Sequence, residues 1–219
     1  MGVPLTVTER MKGYVGFGET DPETGFRVGM QADTYFEHEV EIEMDDIDRF
    51  IAEPAHFAPM KGHVRCDKLG GLCPLVGSTY NMLVDAADPK TSYMFYRLPF
   101  IAPDGKRYTT LGHKTLRDDP GFDLWGDITT LEIRVFEGDI AGPDVSTPVL
   151  GPKVDWPVLP IAVGVIHIQV LDGIKSAMSF RSPGSDAAQL ADAVKKFCTF
   201  YGLKLWDLFG KHHASGLSK

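Results

Sequence analysis

The sequence predicts a mainly β protein: an antiparallel β-barrel, or strongly curled sheet, of about eight or nine strands, with one C-terminal α-helix packed on it. Three observations carry this. Short apolar-rich runs recur along the chain, separated by Gly, Pro and Asp turns. The run 91–101, TSYMFYRLPFI, is apolar on both faces, as a strand is when one face lines an interior and the other is covered. Only the last part, 185–209, carries a long apolar stripe at helical spacing. So many strands in one sheet are expected to curl or close, because an open edge leaves unpaired amides and carbonyls.

The elements follow in order. Residues 12–18, KGYVGFG, read as a first strand. The stretch 19–34, rich in Gly, Asp and Thr, reads as a loop or irregular arm. Residues 37–44 alternate strictly, with Glu37, Glu39, Glu41 and Glu43 on one face and Val40, Ile42 and Met44 on the other. That predicts a half-buried strand with a solvated acidic face. Asp45 or Asp46 caps a short helix over 47–52, which ends before Pro54. Further strands are predicted at 60–67, 72–85, 91–101, 106–116, 124–137, 160–171 and 174–181. Pro103-Asp104-Gly105 is the clearest hairpin signal, and 68–71 and Ala87-Asp88-Pro89 are other turns. Residues 139–159, rich in Pro, Gly and Asp, form a long connection within one domain. Ser185 then caps a helix whose face is Ala187, Leu190, Val194, Phe197, Tyr201, Leu205 and Leu208. The expected organisation is a single domain over 1–210, including the helix 185–209, and a flexible tail at 211–219.

Bulk properties narrow the function classes. With 219 residues, 43% of them hydrophobic and 24% charged, the chain can bury a full core without a zinc or disulfide staple. A net charge of −8 argues against nucleic acid or an anionic membrane as the main partner. Cys66, Cys73 and Cys198 fit neither a zinc motif nor a disulfide framework, and read as free thiols. The N-terminus lacks an apolar signal region. The longest apolar run, 158–170, is interrupted by Pro160, Gly164 and His167 and is too short to cross a bilayer. A cytoplasmic protein with no membrane span is expected.

The densest group of ionisable side chains lies in 112–138: His113, Lys114, Arg117, Asp118, Asp119, Asp123 and Asp127, with Trp125 among them. Asp118-Asp119-Pro120-Gly121 is explained by turn chemistry alone. If 124–137 is one strand, its apolar face of Leu131, Ile133 and Val135 also carries Thr129 and Asp127, while Glu132 and Arg134 point outward. An inward Asp127 needs a partner, and Lys114 or His113 across the turn is the natural one. Such a pair at a barrel mouth can hold a carbonyl or carboxylate, or move a proton. It can equally be an ion pair that fixes the long turn. Tyr80, Met94, Tyr96 and Phe100 are expected to line a cavity, with Lys114, Asp127, Thr129 and Trp125 at its rim. The second row of 91–101, including Tyr93 and Phe95, would meet the terminal helix or a second copy, so a homodimer is among the expected partners.

His167 reads as a hydrogen-bonded structural histidine, and His38, His56 and His63 show no ligand spacing, so no metal site is expected. The chain has no GxGxxG, Walker, GxSxG or HExxH motif, and no cofactor is expected.

KGHVRCDKLGG at 61–71, and GHKTLRDDPGFDLWGDITTL within 111–138, resemble an uncharacterised domain of bacterial multidomain proteins. There it accompanies a GMC-type, cholesterol-oxidase-like flavin oxidoreductase and sometimes an α/β-hydrolase. The resemblance runs over about residues 9–181 and is most specific at Lys114, Asp118, Asp119, Pro120, Gly121, Asp123, Trp125, Asp127, Thr129 and Thr130. This sequence has no flavin-binding half, so the resemblance implies a link to sterol-like or other lipid substrates and not an oxidase activity. Three functions follow as expectations. The first is binding of an apolar or amphipathic small molecule of sterol, terpenoid or polyketide type, in a barrel similar in build to lipocalin or allene-oxide-cyclase barrels. The second is a cofactor-independent isomerase or cyclase, with Lys114, Asp127 and His113 as catalytic groups in the same cavity. The third is a non-catalytic interaction module for an oxidoreductase.

Overall fold

The computed structural model describes residues 2–118, 124–141 and 158–210. Among these residues, nine strands form one sheet: β1 (Leu5–Phe17), β2 (Tyr35–Met44), β3 (Phe57–Cys66), β4 (Gly71–Pro74), β5 (Ser78–Asp85), β6 (Thr91–Ile101), β7 (Arg107–Arg117), β8 (Thr130–Glu137) and β9 (Ala162–His167). Eight of them close an antiparallel ring in chain order, β1-β2-β3-β5-β6-β7-β8-β9, and β9 pairs back to β1. The short β4 is the extra strand; it pairs with the far half of β3. The predicted barrel is therefore present and closed, and closure removes the open edges.

Alternation decides what fills the interior. Across the β1–β2 register, Leu5 faces Met44, Val7 faces Ile42, Glu9 faces Val40 and Met11 faces His38. Across β6–β7, Met94 faces Lys114, Tyr96 faces Gly112 and Leu98 faces Thr110. Tyr80, Tyr96, Phe36, Phe100, Leu98, Met11 and Leu116 are among the largest fully buried side chains. The core is thus a ring of inward rows that contains a few polar positions.

One end of the barrel is covered by helices. The helix α2 (Ile47–Ala52) follows β2, and α5 (Ala187–Leu205) packs beside it. Phe200 of α5 meets His56 at 4.7 Å and Phe50 at 6.1 Å between ring centroids. Lys196 pairs with Asp48, and Lys204 with Asp85 at the end of β5. The helix lies close to the predicted 185–209 and continues into a π turn over Trp206–Gly210. Its cap is Asp186, not Ser185. Asp186 accepts from the Gln189 amide, and the Gln189 side chain accepts from the Asp186 amide in return. The predicted tail at 211–219 lies outside the described residues.

Several local expectations are corrected. The predicted loop 19–34 contains a helix, α1 (Pro22–Gln31), capped by Asp21 with Pro22 at its start. Its glycines belong to the packing face. A Cβ on Gly25 would stand 2.1 Å from the Val163 carbonyl oxygen, and one on Gly29 would stand 2.4 Å from that of Val15. Glycines that resemble loop punctuation therefore let a helix touch the barrel wall. The segment 174–181 is not a strand; its first part ends helix α4 (Val170–Ala177). Its last residue, Arg181, makes a single antiparallel bridge to Thr6, on the part of β1 that β9 does not reach. The predicted strand 124–137 is a helix, α3 (Leu124–Thr129), followed by β8. Thr130 pairs with His167, the last residue of β9, and one more bond, from the Ile168 amide to the Thr129 carbonyl, ends that seam. The acidic face of β2 is solvated only in part. Glu37 is buried, takes a 2.6 Å bond from Arg10 and accepts from the Tyr35 hydroxyl at 2.5 Å.

The β1–β9 seam is narrow. A Cβ on Gly164 would lie 2.0 Å from the Tyr14 carbonyl oxygen, a backbone atom that cannot rotate away. Gly164→Ala is expected to destabilise the chain by about 3 kcal/mol, the upper end of overpacking costs. Chemical denaturation of the variant checks this; an unchanged midpoint would mean that the seam yields.

Candidate functional site

The barrel interior holds a compact polar group that the sequence pattern only partly reveals. Its centre is Glu9, on the inward row of β1 between Val7 and Met11. Lys114 reaches it from β7, with Nζ 3.4 Å from Glu9 Oε2 and the side chain 2% exposed. The same ammonium lies 5.3 Å from the centre of the Tyr96 ring. The Tyr96 hydroxyl donates to Glu9 Oε2 at 3.2 Å. On the other side, His38 Nε2 stands 3.5 Å from Glu9 Oε1, and its ring stacks on Tyr96 at 5.8 Å. Tyr80 packs on Tyr96 at 4.7 Å and directs its hydroxyl to the Met94 sulfur at 3.3 Å.

The bonding is incomplete. Glu9 Oε1 and both ring nitrogens of His38 are buried without a hydrogen-bond partner among the described residues. The 3.5 Å approach of His38 to Glu9 is an electrostatic contact and falls short of a good hydrogen bond. Unfilled bonding capacity in an apolar enclosure costs free energy.

Electrostatics act differently on the two partners. Burial by itself would raise the Glu9 carboxyl. The Lys114 ammonium, His38 and the Tyr96 hydroxyl outweigh burial and hold Glu9 down at about 2. Burial draws the Lys114 amine below its ordinary value, and Glu9 opposes that shift. Burial and the Glu9 charge keep the Tyr96 and Tyr80 phenols protonated well beyond their usual range. Tyr201 of α5 is also pushed upward, first by burial and then by the charge of Glu9, which places the terminal helix within electrostatic reach of the cluster.

The predicted site residues divide between two places. Lys114, Tyr80, Met94 and Tyr96 do meet inside the barrel. Phe100, buried in the same row, stacks on Tyr108 at 5.5 Å instead. Asp127 is not on an inward strand face: it lies in α3, and its Oδ2 accepts from the Arg117 amide at 3.1 Å. The expected Lys114–Asp127 pair is therefore replaced by Lys114–Glu9. Thr129 is buried, but its hydroxyl donates back to the Trp125 carbonyl at 2.6 Å, as a helical threonine does. Trp125 is 58% exposed. His113 sits on the outer face, 3.5 Å from Glu132 Oε2 and 3.5 Å from an Arg134 nitrogen. Burial, reinforced by Arg134, pushes it down to about 4. His113, Asp127, Thr115, Thr130 and Glu132 border an open groove of about 290 Å³, which the Lys114 side chain leaves for the interior. Asp119, Pro120, Gly121 and Asp123 lie outside the described residues.

No protein-family model, curated protein or solved structure matches this chain. The site therefore stands on its own chemistry. Among the described residues there is no cluster of three His, Cys, Asp or Glu side chains that could hold a metal ion. Cys66 and Cys73 are buried free thiols, and burial pushes Cys66 up to about 11. No helix of the described residues is long and apolar enough to cross a membrane.

Sequence reasoning missed Glu9 and His38, although a signal was available for each. Glu9 interrupts the apolar row Leu5, Val7, Met11, in a strand expected to begin only at residue 12. His38 shares its face with Val40, Ile42 and Met44. A charged or ionisable side chain within an otherwise apolar inward row is that signal.

Proposed function

We propose that this barrel binds an apolar or amphipathic small molecule of sterol, terpenoid or polyketide type. The observation that supports it is the polar group Glu9, Lys114, His38 and Tyr96, set among apolar walls with bonding capacity left over. An apolar enclosure with a few convergent polar groups suits a ligand that is mostly hydrocarbon and carries one or two oxygens. A second reading is a cofactor-independent isomerase or cyclase on the same molecule. The adjacency of a carboxylate, an amine and an imidazole favours it, because these can relay a proton to and from a bound oxygen. Relative to the sequence expectation, Glu9 and His38 take the proton-moving places given to Asp127 and His113. An interaction module would instead use the exposed row Val170, Leu171, Ile174 and Met178 on and just after α4. Free thiols at Cys66, Cys73 and Cys198 accord with action in a reducing cytoplasm.

Native mass spectrometry of the purified chain, with extraction of any co-purified compound, tests the reading and also reports a homodimer. A bound apolar compound is expected, and adding it back should raise the melting temperature. An empty chain that no sterol, terpenoid or polyketide stabilises sinks the binding proposal. A co-purifying protein in place of a small molecule would favour the interaction module.

A further inference from the structure

We propose that Lys114 is the covalent attachment point for an aldehyde or ketone group of the apolar ligand, held as a protonated imine against Glu9. The inference rests on the binding reading and narrows its ligand class to carbonyl compounds. Lys114 is the inward lysine of a wall otherwise built from apolar and aromatic side chains at this level, Met94, Tyr96 and Leu116. A buried ion pair is seldom more stable than an apolar pair of the same volume, so stability does not explain why these groups lie there. Their geometry is also loose for a structural pair. Lys114 Nζ has one bonded oxygen, at 3.4 Å, and three protons to donate. The carboxylate it meets approaches His38 through its other oxygen, with Oε1 3.5 Å from Nε2. A nucleophile beside groups able to take and return protons is what imine formation needs. Burial draws the amine toward its neutral, reactive form.

The step balances without a co-reactant. The Lys114 ammonium gives one proton to Glu9, whose Oε2 it already meets. The free amine attacks the carbonyl carbon; a C–N bond forms, and the carbonyl oxygen takes a proton from nitrogen. The resulting carbinolamine loses its hydroxyl as water, using the stored proton, and nitrogen keeps one hydrogen and a positive charge. An ammonium has become an iminium of the same charge and the stored proton has left with water, so the ion pair with Glu9 is restored at the end. Neither partner is oxidised or reduced.

Geranial, a terpenoid aldehyde, tests this with sodium cyanoborohydride, which reduces an imine to a stable amine. The full chain is incubated at neutral pH, weighed intact and then mapped by peptide. Labelling at Lys114 is expected to exceed that at the exposed Lys61 and Lys175 by about tenfold, although those lysines meet reagent freely. Geraniol, which has no carbonyl, should suppress the Lys114 label and leave the exposed lysines unchanged. Lys114→Arg, which keeps the charge, should remove the label. If that variant does not fold, the wild-type map with geraniol competition still decides. Labelling at Lys114 no higher than at the exposed lysines overturns the inference. Thermal stabilisation by geraniol in that case leaves the binding reading standing, whereas no stabilisation by either compound counts against both.

Discussion

Lys114→Met is expected to destabilise the folded chain by about 3–5 kcal/mol, because it strands the Glu9 carboxylate in an apolar enclosure. Glu9 is held at about 2 chiefly by the Lys114 ammonium acting against burial. Without that charge, only His38 and the Tyr96 hydroxyl oppose the desolvation penalty, and Glu9 takes up a proton or the fold loosens. The paired variant Glu9→Gln with Lys114→Met is expected to recover most of the loss, because two neutral groups no longer need each other. Urea unfolding of both single variants and the double variant forms the cycle, and their non-additivity measures the coupling. A loss in the double variant equal to the sum of the two single losses would show that Glu9 and Lys114 act independently. The same variants separate stability from chemistry: the double variant should fold, yet accept no carbonyl label.

Acid is expected to weaken the fold in two stages. In the first, His113 has an ordinary value of 6.5 and is pushed down to about 4, by burial first and by Arg134 second. Its folded value is depressed, so the unfolded chain binds the extra proton between these limits. Stability is fully present above 6.5 and is lost as pH falls toward 4, by roughly 3 kcal/mol for this group. His56 and His167 are lowered by burial and act in the same direction. Glu132 is raised by burial and opposes them, so the net slope is smaller than the histidines alone would give. In the second stage, Glu9 moves from 4.5 to about 2 in the folded chain. Its contribution is present above 4.5 and is lost as pH falls toward 2, again by roughly 3 kcal/mol. Urea midpoints measured across this range should flatten above pH 4 in His113→Gln and below pH 4.5 in Glu9→Gln. A His113→Gln profile parallel to that of the wild type would remove His113 as the cause of the first stage.

The polar cluster also shows why its two halves differed in visibility. Lys114, Tyr80, Met94 and Tyr96 lie on strands with strong local signals, bounded by Pro103-Asp104-Gly105 and by Ala87-Asp88-Pro89. Their inward direction follows from alternation once those strands are recognised. Glu9 and His38 lie about 105 and 76 residues before Lys114 in the chain. They join it because the first two strands close the ring beside the last, a long-range pairing that no local pattern states.

Sequence by itself determined the class of the fold: short alternating runs, turn residues between them and one terminal amphipathic helix allow little else than a curled antiparallel sheet. It also determined the β6–β7 hairpin and the row of β6, Met94, Tyr96 and Phe100, that turns inward. Tertiary structure alone decided the rest. The segment 124–129 turns into a helix where its seam with β9 ends, at His167 and Ile168. Whether 19–34 is a loop or a helix depends on a wall against which Gly25 and Gly29 can lie. The partner of Lys114 depends on ring closure, which brings β1 and β2 around to face β6 and β7 across the interior. Local propensity acts over a few residues, whereas burial and charge pairing act across space, and here the candidate site is built from the second.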